Sequence, residues 1–483
     1  MNITLKRVMQ VYVFAYAFFF ASRPLSDGDF WWHLRTGEYI VRHHSIPRTD
    51  PFSFSNFGKP WVAHEWLSDL IFYLVYSHFG FNTLIFVFAV LTATAFLMVF
   101  MRCDAHAFVG AFATLLATSS VLTTVGVRPR AFTLLFASFF LLVLTQYTQG
   151  RQRKQLWLLV PVMALWVNLH AGFLIGLVLI ALTIVGLFLD SWMEGKPLAS
   201  AWPSARKLLL VLVASCGAVL LNPQGVKIFL FPFEFFFSPV QQNQINDWLS
   251  PNFHQPEFLP LAFLLLATTV VMALSPSRPK LSELVLFLST LYATLKSNRH
   301  VAIFALIAAP LFANYFQSWI DSTALRRSFG SDRSERRDRA NMFFAVLMLI
   351  PAVALTIQLK KEIYSTPKQE RVGVPLQAVA YMKAQNVTGR TFTDPNIWSG
   401  YLIWEMPQNP VFIDGRIDMY GDEFVTYYLK IINGTEDWES AFDQYQIRAA
   451  VISPKSVLRL QMQKSPKWQE VYSDEMAVVF ARH

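Results

Sequence analysis

The feature that most limits how this chain can fold is a series of apolar runs, each roughly 17–25 residues long, separated by short polar stretches. A run of that length can cross lipid as a helix. Lipid admits only helices or closed barrels, because each backbone polar group must find its partner inside the protein. Apolar residues make up 54% of the 483, and charged residues only 15%, against about 25% in an average soluble domain. The chain reads as a polytopic α-helical membrane protein. Its net charge of +9 is of the sign that binds nucleic acid, but the Lys and Arg cluster between apolar runs. That is the pattern of cytoplasmic loops, and no nucleic acid partner is expected. The two cysteines, Cys103 and Cys216, lie in or beside apolar runs. They allow neither a disulfide framework nor a CxxC metal site.

Lys6 and Arg7 precede the first expected span, about residues 8–22, and place the N-terminus inside. No small-residue cleavage site follows it, so it is read as a retained span. Further spans are expected at about 80–101, 106–123, 131–148, 156–168, 172–190, 208–221, 257–274, 282–295, 300–316 and 341–357. That gives about eleven transmembrane helices over residues 1–358, with a first outer loop at 23–66 and a second at 222–256. The strongest basic run, 326–339, falls inside. From residue 359 the composition is soluble. VPLQAVAYMKAQ has the period of an amphipathic helix, and RTFT, PVFID, AAVIS and MAVVFA that of short buried strands. A small extracytoplasmic α/β domain is expected over 359–483.

The first outer loop concentrates ionisable chemistry. Asp27-Gly28-Asp29 puts two carboxylates one residue apart, and Gly28 permits a turn that brings them to one side. Such a pair can hold a divalent cation, Mg or Mn, or supply a general base. Alternatively, Asp29 merely caps a helix starting at Phe30. Phe30 to Val41 is expected as a helix lying on the bilayer, with Trp31, Trp32 and Tyr39 at the interface and His33 pointing away from its apolar face. His33, His64 and Glu65 are candidate substrate-binding groups. Arg128, Arg130 and Arg299 fall at outer span ends, where cations are normally disfavoured. A lipid-linked phosphate would suit them, since guanidinium binds phosphate bidentately. Headgroups or an internal carboxylate could pair them instead. His300, His170 and Asp247 fall at the same level. No HExxH, GxSxG, Walker A or GxGxxG occurs. Arg416, in FIDGRID with Asp414 and Asp418, is either an acceptor-binding group or part of a turn.

DGDFWWHLRTGEYI, IPRTDPFSF, PWVAHEWLSDLIFYLVY, WVNLHAGF, LNPQG, DWLSPNFH, NRHVAIFALIAAPLFA and WSGYLIWEMPQNPVFIDGRIDMYG run through nearly the whole chain. In these stretches it resembles a bacterial group of predicted glycosyltransferases of the GT-C superfamily. The resemblance implies many spans, a catalytic acid in the first outer loop, and a polyprenyl-phosphate-linked sugar donor. It maps the acid onto Asp27 or Asp29 and leaves open which is the base. It further implies sugar transfer with inversion, to a glycan, lipid or protein acceptor, outside the bacterial inner membrane. Arg128, Arg130, Arg299 and His300 would meet the donor phosphate. The rival reading is a transporter or flippase of lipid-linked sugars, and a third is a non-catalytic assembly subunit.

Overall fold

The computed structural model describes residues 4–25, 27–121, 124–151, 153–323 and 373–483. The basic run at 326–339 and the expected span at 341–357 lie outside these.

Thirteen α-helices are described before residue 324. They are α1 (Leu5–Ala21), α2 (Phe30–His43), α3 (Trp66–Arg102), α4 (Ala107–Ser120), α5 (Arg130–Thr148), α6 (Leu159–Leu169), α7 (Phe173–Met193), α8 (Trp202–Val219), α9 (Lys227–Phe237), α10 (Pro239–Gln244), α11 (Leu259–Leu274), α12 (Leu281–Lys296) and α13 (Val301–Asp321). Among the described residues, six helical stretches are long and apolar enough to cross a membrane: α3, α5, α7, α8, Pro256–Leu274 and Asn298–Asp321. The chain is a multi-pass membrane protein. The expectation of eleven spans is not confirmed by these six, and the span expected at 341–357 lies outside the described residues. α1 and α12 coincide with expected spans but have only 17 and 16 residues, where a bilayer core asks for about 20.

The chain divides into two compact units. One comprises Met1–Arg23, Ile85–Ile228 and Asn246–Lys360; the other comprises Pro24–Leu84, Phe229–Ile245 and Lys361–His483. In the first, α13 packs against α4, α11 and α12. Ala305, Ala308, Ala309 and Ala313 on α13 are fully buried; such small side chains let membrane helices approach closely.

In the second unit, the loop 23–66 expected outside and the C-terminal segment share one body. Its later helices are α14 (Leu376–Ala384), α15 (Trp398–Glu405), α16 (Ile417–Ile432), α17 (Trp438–Gln444) and α18 (Val457–Met462). Its strands are β1 (Thr391–Asp394), β2 (Ala449–Ile452), β3 (Trp468–Ser473) and β4 (Val478–Arg482), in the order β1-β2-β4-β3. β1 and β2 are parallel, and the other pairs antiparallel. Phe392, Phe412, Phe442 and Trp468 pack into the core beside the sheet. PVFID, expected as a strand, makes only isolated bridges, from Val411 to Thr391 and to Ser53. The chain then turns into the Asp414–Arg416 cluster, which ends the pairing. β3 was not expected, because WQEVYS sets polar Gln, Glu and Ser among Trp, Val and Tyr; it lies at the edge of the sheet.

α2 does not lie on a bilayer by its tryptophans. Trp31 and Trp32 are buried, as are Phe30, Leu34 and His33. The helix packs against α15, with the rings of Trp31 and Tyr401 4.8 Å apart. α3 is two helices merged across Gly80, whose φ of 77° is left-handed. A side chain there would strain the backbone.

Candidate active site

In the second unit the site is built at the head of α2. Asp27 Oδ1 accepts the backbone N–H of Asp29 at 3.2 Å, which makes the turn that the DGD spacing suggests. Asp29 occupies the N-cap position of α2, yet its side chain makes no capping hydrogen bond. Its Oδ1 accepts from Trp32 Nε1 at 3.1 Å instead. The surroundings fit tightly. A Cβ on Gly28 would lie 2.9 Å from the Ile397 carbonyl oxygen, and a Cβ on Gly415 would run into Asp29 Oδ1. Asp29 is thus wedged between α2 and the FIDGRID turn by positions that only glycine can fill.

Behind it stands a chain of charged side chains. The Trp32 ring lies 3.6 Å from the His33 ring. His33 Nδ1 shares a 2.6 Å hydrogen bond with Asp69 Oδ1, and its Nε2 is 3.6 Å from Glu65. Glu65 in turn approaches His64 Nε2 at 3.5 Å. Burial disfavours the imidazolium of His33, but Asp69, then Glu65 and Asp29, outweigh it and lift its pKa to about 9. His64 is also raised: burial opposes its charge, and Glu65 and Asp418 overcome it. Burial pushes the Asp418 carboxyl up, against the pull of His64. His33, expected to point away, is a buried cation. Asp69 was missed; its only signal is its place on the buried face of the first turn of α3.

Arg416 is 2% exposed. Its Nε and Nη2 donate to Asp414 at 2.9 and 2.6 Å, and Nη2 also donates to Asp50 at 2.8 Å. Its guanidinium stacks over Trp61 and Phe52, 4.4 and 5.0 Å from their centroids. This clasp ties IPRTDPFSF to FIDGRID. Only Nη1 has no hydrogen-bond partner among the described residues.

The first unit holds Arg128, Arg130 and Arg299. Arg130 donates to Asp247, and Arg128 comes within 4.0 Å of the same oxygen. Arg299 lies over the Trp248 ring, 4.7 Å from its centroid. The turns carrying them are joined by Ser297 Oγ to Asp247 O at 3.0 Å and Asn298 N to Leu249 O at 2.8 Å. Burial opposes ionisation of Asp247, but Arg130, Arg128 and Arg299 hold its pKa below the usual range. Arg130 and Asp247, 117 residues apart in sequence, thus meet with Arg299 in one cationic cluster. His300 follows Arg299, and its buried Nδ1 has no hydrogen-bond partner among the described residues. His170 Nδ1 accepts from Gly172 N at 2.9 Å and lies 2.8 Å from Thr133 Oγ1. Thr133 is one turn along α5 from Arg130.

Among the described residues, no group of three or more His, Cys, Asp or Glu stands in metal-holding geometry. Mg2+ is often bound through only one or two carboxylates plus water and substrate phosphate. Asp27 and Asp29 supply two carboxylates one residue apart, each with its Oδ1 already accepting a hydrogen bond.

The multi-pass helices and the small C-terminal sheet have a fold found among solved membrane oligosaccharyltransferases. Among solved structures, the chain is similar to the oligosaccharyltransferase of Archaeoglobus fulgidus tethered to an acceptor peptide containing the NVT sequon. The TM-score is 0.56 at 12% identity, over 98% of this chain and 74% of that one. The same organism's AglB, in complex with an inhibitory peptide and a dolichol-phosphate, gives 0.54 at 11% identity over the same shares. ArnT from Cupriavidus metallidurans, bound to undecaprenyl phosphate, aligns over 98% of this chain and 97% of that one at 15% identity; its TM-score of 0.48 is too low to add weight. At these identities the likeness is one of fold. No protein-family model matches the sequence, and no curated protein is similar to it.

Proposed function

We propose that this chain is a membrane glycosyltransferase. It transfers a sugar from a polyprenyl-phosphate-linked donor to a hydroxyl of a glycan, lipid or protein acceptor. It works in a bacterial inner membrane, with its active site and C-terminal segment outside the cytoplasm. The observation that carries this reading is the setting of Asp29: a carboxylate held by Trp32 Nε1 and wedged between glycine-only positions. A transporter has no evident use for an acid fixed that way. The GT-C fold supports the reading, as does the capture of the archaeal oligosaccharyltransferase with dolichol-phosphate.

In this reaction Asp27 or Asp29 takes the proton from the acceptor hydroxyl. The oxygen attacks the anomeric carbon from the face opposite the leaving group, so configuration inverts. The bond to the polyprenyl phosphate breaks, and its oxygen keeps the electron pair. Arg128, Arg130, Arg299 and His300 bind that phosphate and stabilise its developing charge. Asp247 holds the guanidiniums together against their mutual repulsion, and His170 packs beside α5 on the donor side. His33, His64 and Glu65 line the acceptor side behind Asp29. A divalent cation, when bound, would be held by whichever of Asp27 and Asp29 is not the base, and would supply Lewis-acid polarisation of a substrate oxygen.

The test uses purified protein in nanodiscs, which have no second compartment to transport into. A polyprenyl-phosphate-linked sugar should be consumed, with release of polyprenyl phosphate. Arg130→Ala should slow this about 10–150-fold, as loss of a hydrogen bond to a charged group does, and Arg130→Lys should recover only part. Wild-type protein that moves the lipid-linked sugar across sealed vesicles and never cleaves it would make the chain a transporter.

A further inference from the structure

A cavity of about 610 Å³ in the second unit opens on the face of α2 that carries Arg35, Glu38, Tyr39 and Arg42. Arg35, Glu38, Tyr39 and Arg42 line it at helical spacing, facing the loop Pro51–Phe57 and the stretch around Arg390 and Asn409. None of these residues has a part in the reaction above. We infer that this cavity binds an acidic sugar unit of the acceptor, a carboxylate-bearing glycan recognised at a distance from the reacting hydroxyl. The inference rests on the glycosyltransferase reading and names its acceptor class.

Three features define the ligand. The first is charge. Three arginines face one carboxylate, Glu38, which is buried and pairs with both Arg35 and Arg42. Arg390 is set by Nη1 donating to Tyr445 O at 2.9 Å, and by stacking over Phe54 at 5.1 Å. The lining therefore keeps an excess of two positive charges in preset orientation, which suits a carboxylate approached by planar guanidinium forks. The second is the aromatic wall. Phe52, Phe54 and Tyr39 line it, and Phe57 is 72% exposed at its rim. Flat apolar faces with polar groups at their edges match the C–H faces and hydroxyls of a pyranose. The third is Asn409, 1% exposed. Its Nδ2 donates to Val387 O and Thr391 Oγ1, and its Oδ1 has no hydrogen-bond partner among the described residues. A hydroxyl donor would satisfy it.

The cavity also sets a length. From Asp29 to Arg42 is thirteen residues of helix, ~20 Å at ~1.5 Å per residue. An acceptor that reaches both is an oligosaccharide or longer.

The test is calorimetric titration of the full chain in nanodiscs, without donor, using trigalacturonate, maltotriose and triglutamate. Trigalacturonate should bind, and the neutral sugar and the acidic peptide at least about tenfold more weakly. Arg42→Gln and Arg390→Gln should each weaken trigalacturonate by about tenfold or more, and Phe57→Ala should weaken it too. Arg42 and Phe57 are exposed, so their variants fold even where Arg390→Gln does not. The inference fails if trigalacturonate does not bind the wild type, if maltotriose or triglutamate binds as well, or if Arg42→Gln binds like the wild type. Binding that persists in a protein with no transferase activity would keep the site and refute the enzyme. Transfer without such binding would do the reverse.

Discussion

At the scale of single residues, the site depends on charges that the fold has buried and paired. His33 is the clearest. Its folded pKa of about 9 stands above the unfolded value near 6.5. The protonated form is favoured by folding, so its contribution is complete below about pH 6.5 and fades as pH rises toward 9. The wild type should therefore lose melting temperature between those values, through His33 facing Asp69, Glu65 and Asp29. His33→Gln should show a flatter profile over that window and a lower plateau at acid pH. A wild-type melting temperature that holds constant from pH 6.5 to 9 would deny the buried imidazolium. In the sequence, His33 showed only as one histidine of a rich loop. Its partner Asp69 lies 36 positions away on another helix, and no local pattern links them. The outer arginines were more legible, because cations at outer span ends break a composition rule. Their internal carboxylate, Asp247, was named among the candidate groups, but its pairing with them depends on a turn-to-turn hydrogen bond that only tertiary structure supplies.

At the scale of elements, the helices were legible wherever periodicity and length spoke together. α5, α7 and α11 fall within two or three residues of their expected bounds. α2 was placed correctly and its environment misjudged: tryptophans suit a membrane interface, and they equally suit a packed helix. The strand expected at PVFID failed because its apolar residues fill the core singly before the chain turns at Asp414. That turn is where the elements act on chemistry, since Gly415 leaves room for Asp29. Gly415→Ala forces a shift of one or the other. Overpacking of this kind costs roughly 1–3 kcal/mol; if it falls on the position of the acid, transfer should drop about 5–150-fold. Melting temperature should move little, because the clash is confined to one side chain at a half-buried position. Unchanged transfer in Gly415→Ala would mean that Asp29 is not held where its chemistry needs it.

At the scale of the whole molecule, composition alone identified a multi-pass membrane protein, and the GT-C resemblance is matched by the fold. The grouping of the first outer loop with the C-terminal segment was not legible. It rests on Gly28 against Ile397, Trp31 against Tyr401 and Asp50 against Arg416, pairs that lie more than 360 residues apart. This grouping gives the second unit its acid: the first outer loop supplies Asp27 and Asp29, and the C-terminal segment fixes them. The central claim is that one of these two carboxylates takes the proton in sugar transfer. The direct measurement is turnover of a polyprenyl-phosphate-linked sugar by wild type, Asp27→Asn, Asp29→Asn and the double variant, each checked for wild-type melting temperature. Loss of a general base slows a reaction about 10²–10⁴-fold. At least one single variant and the double should show that loss with the fold intact; wild-type turnover in the double variant would contradict the account.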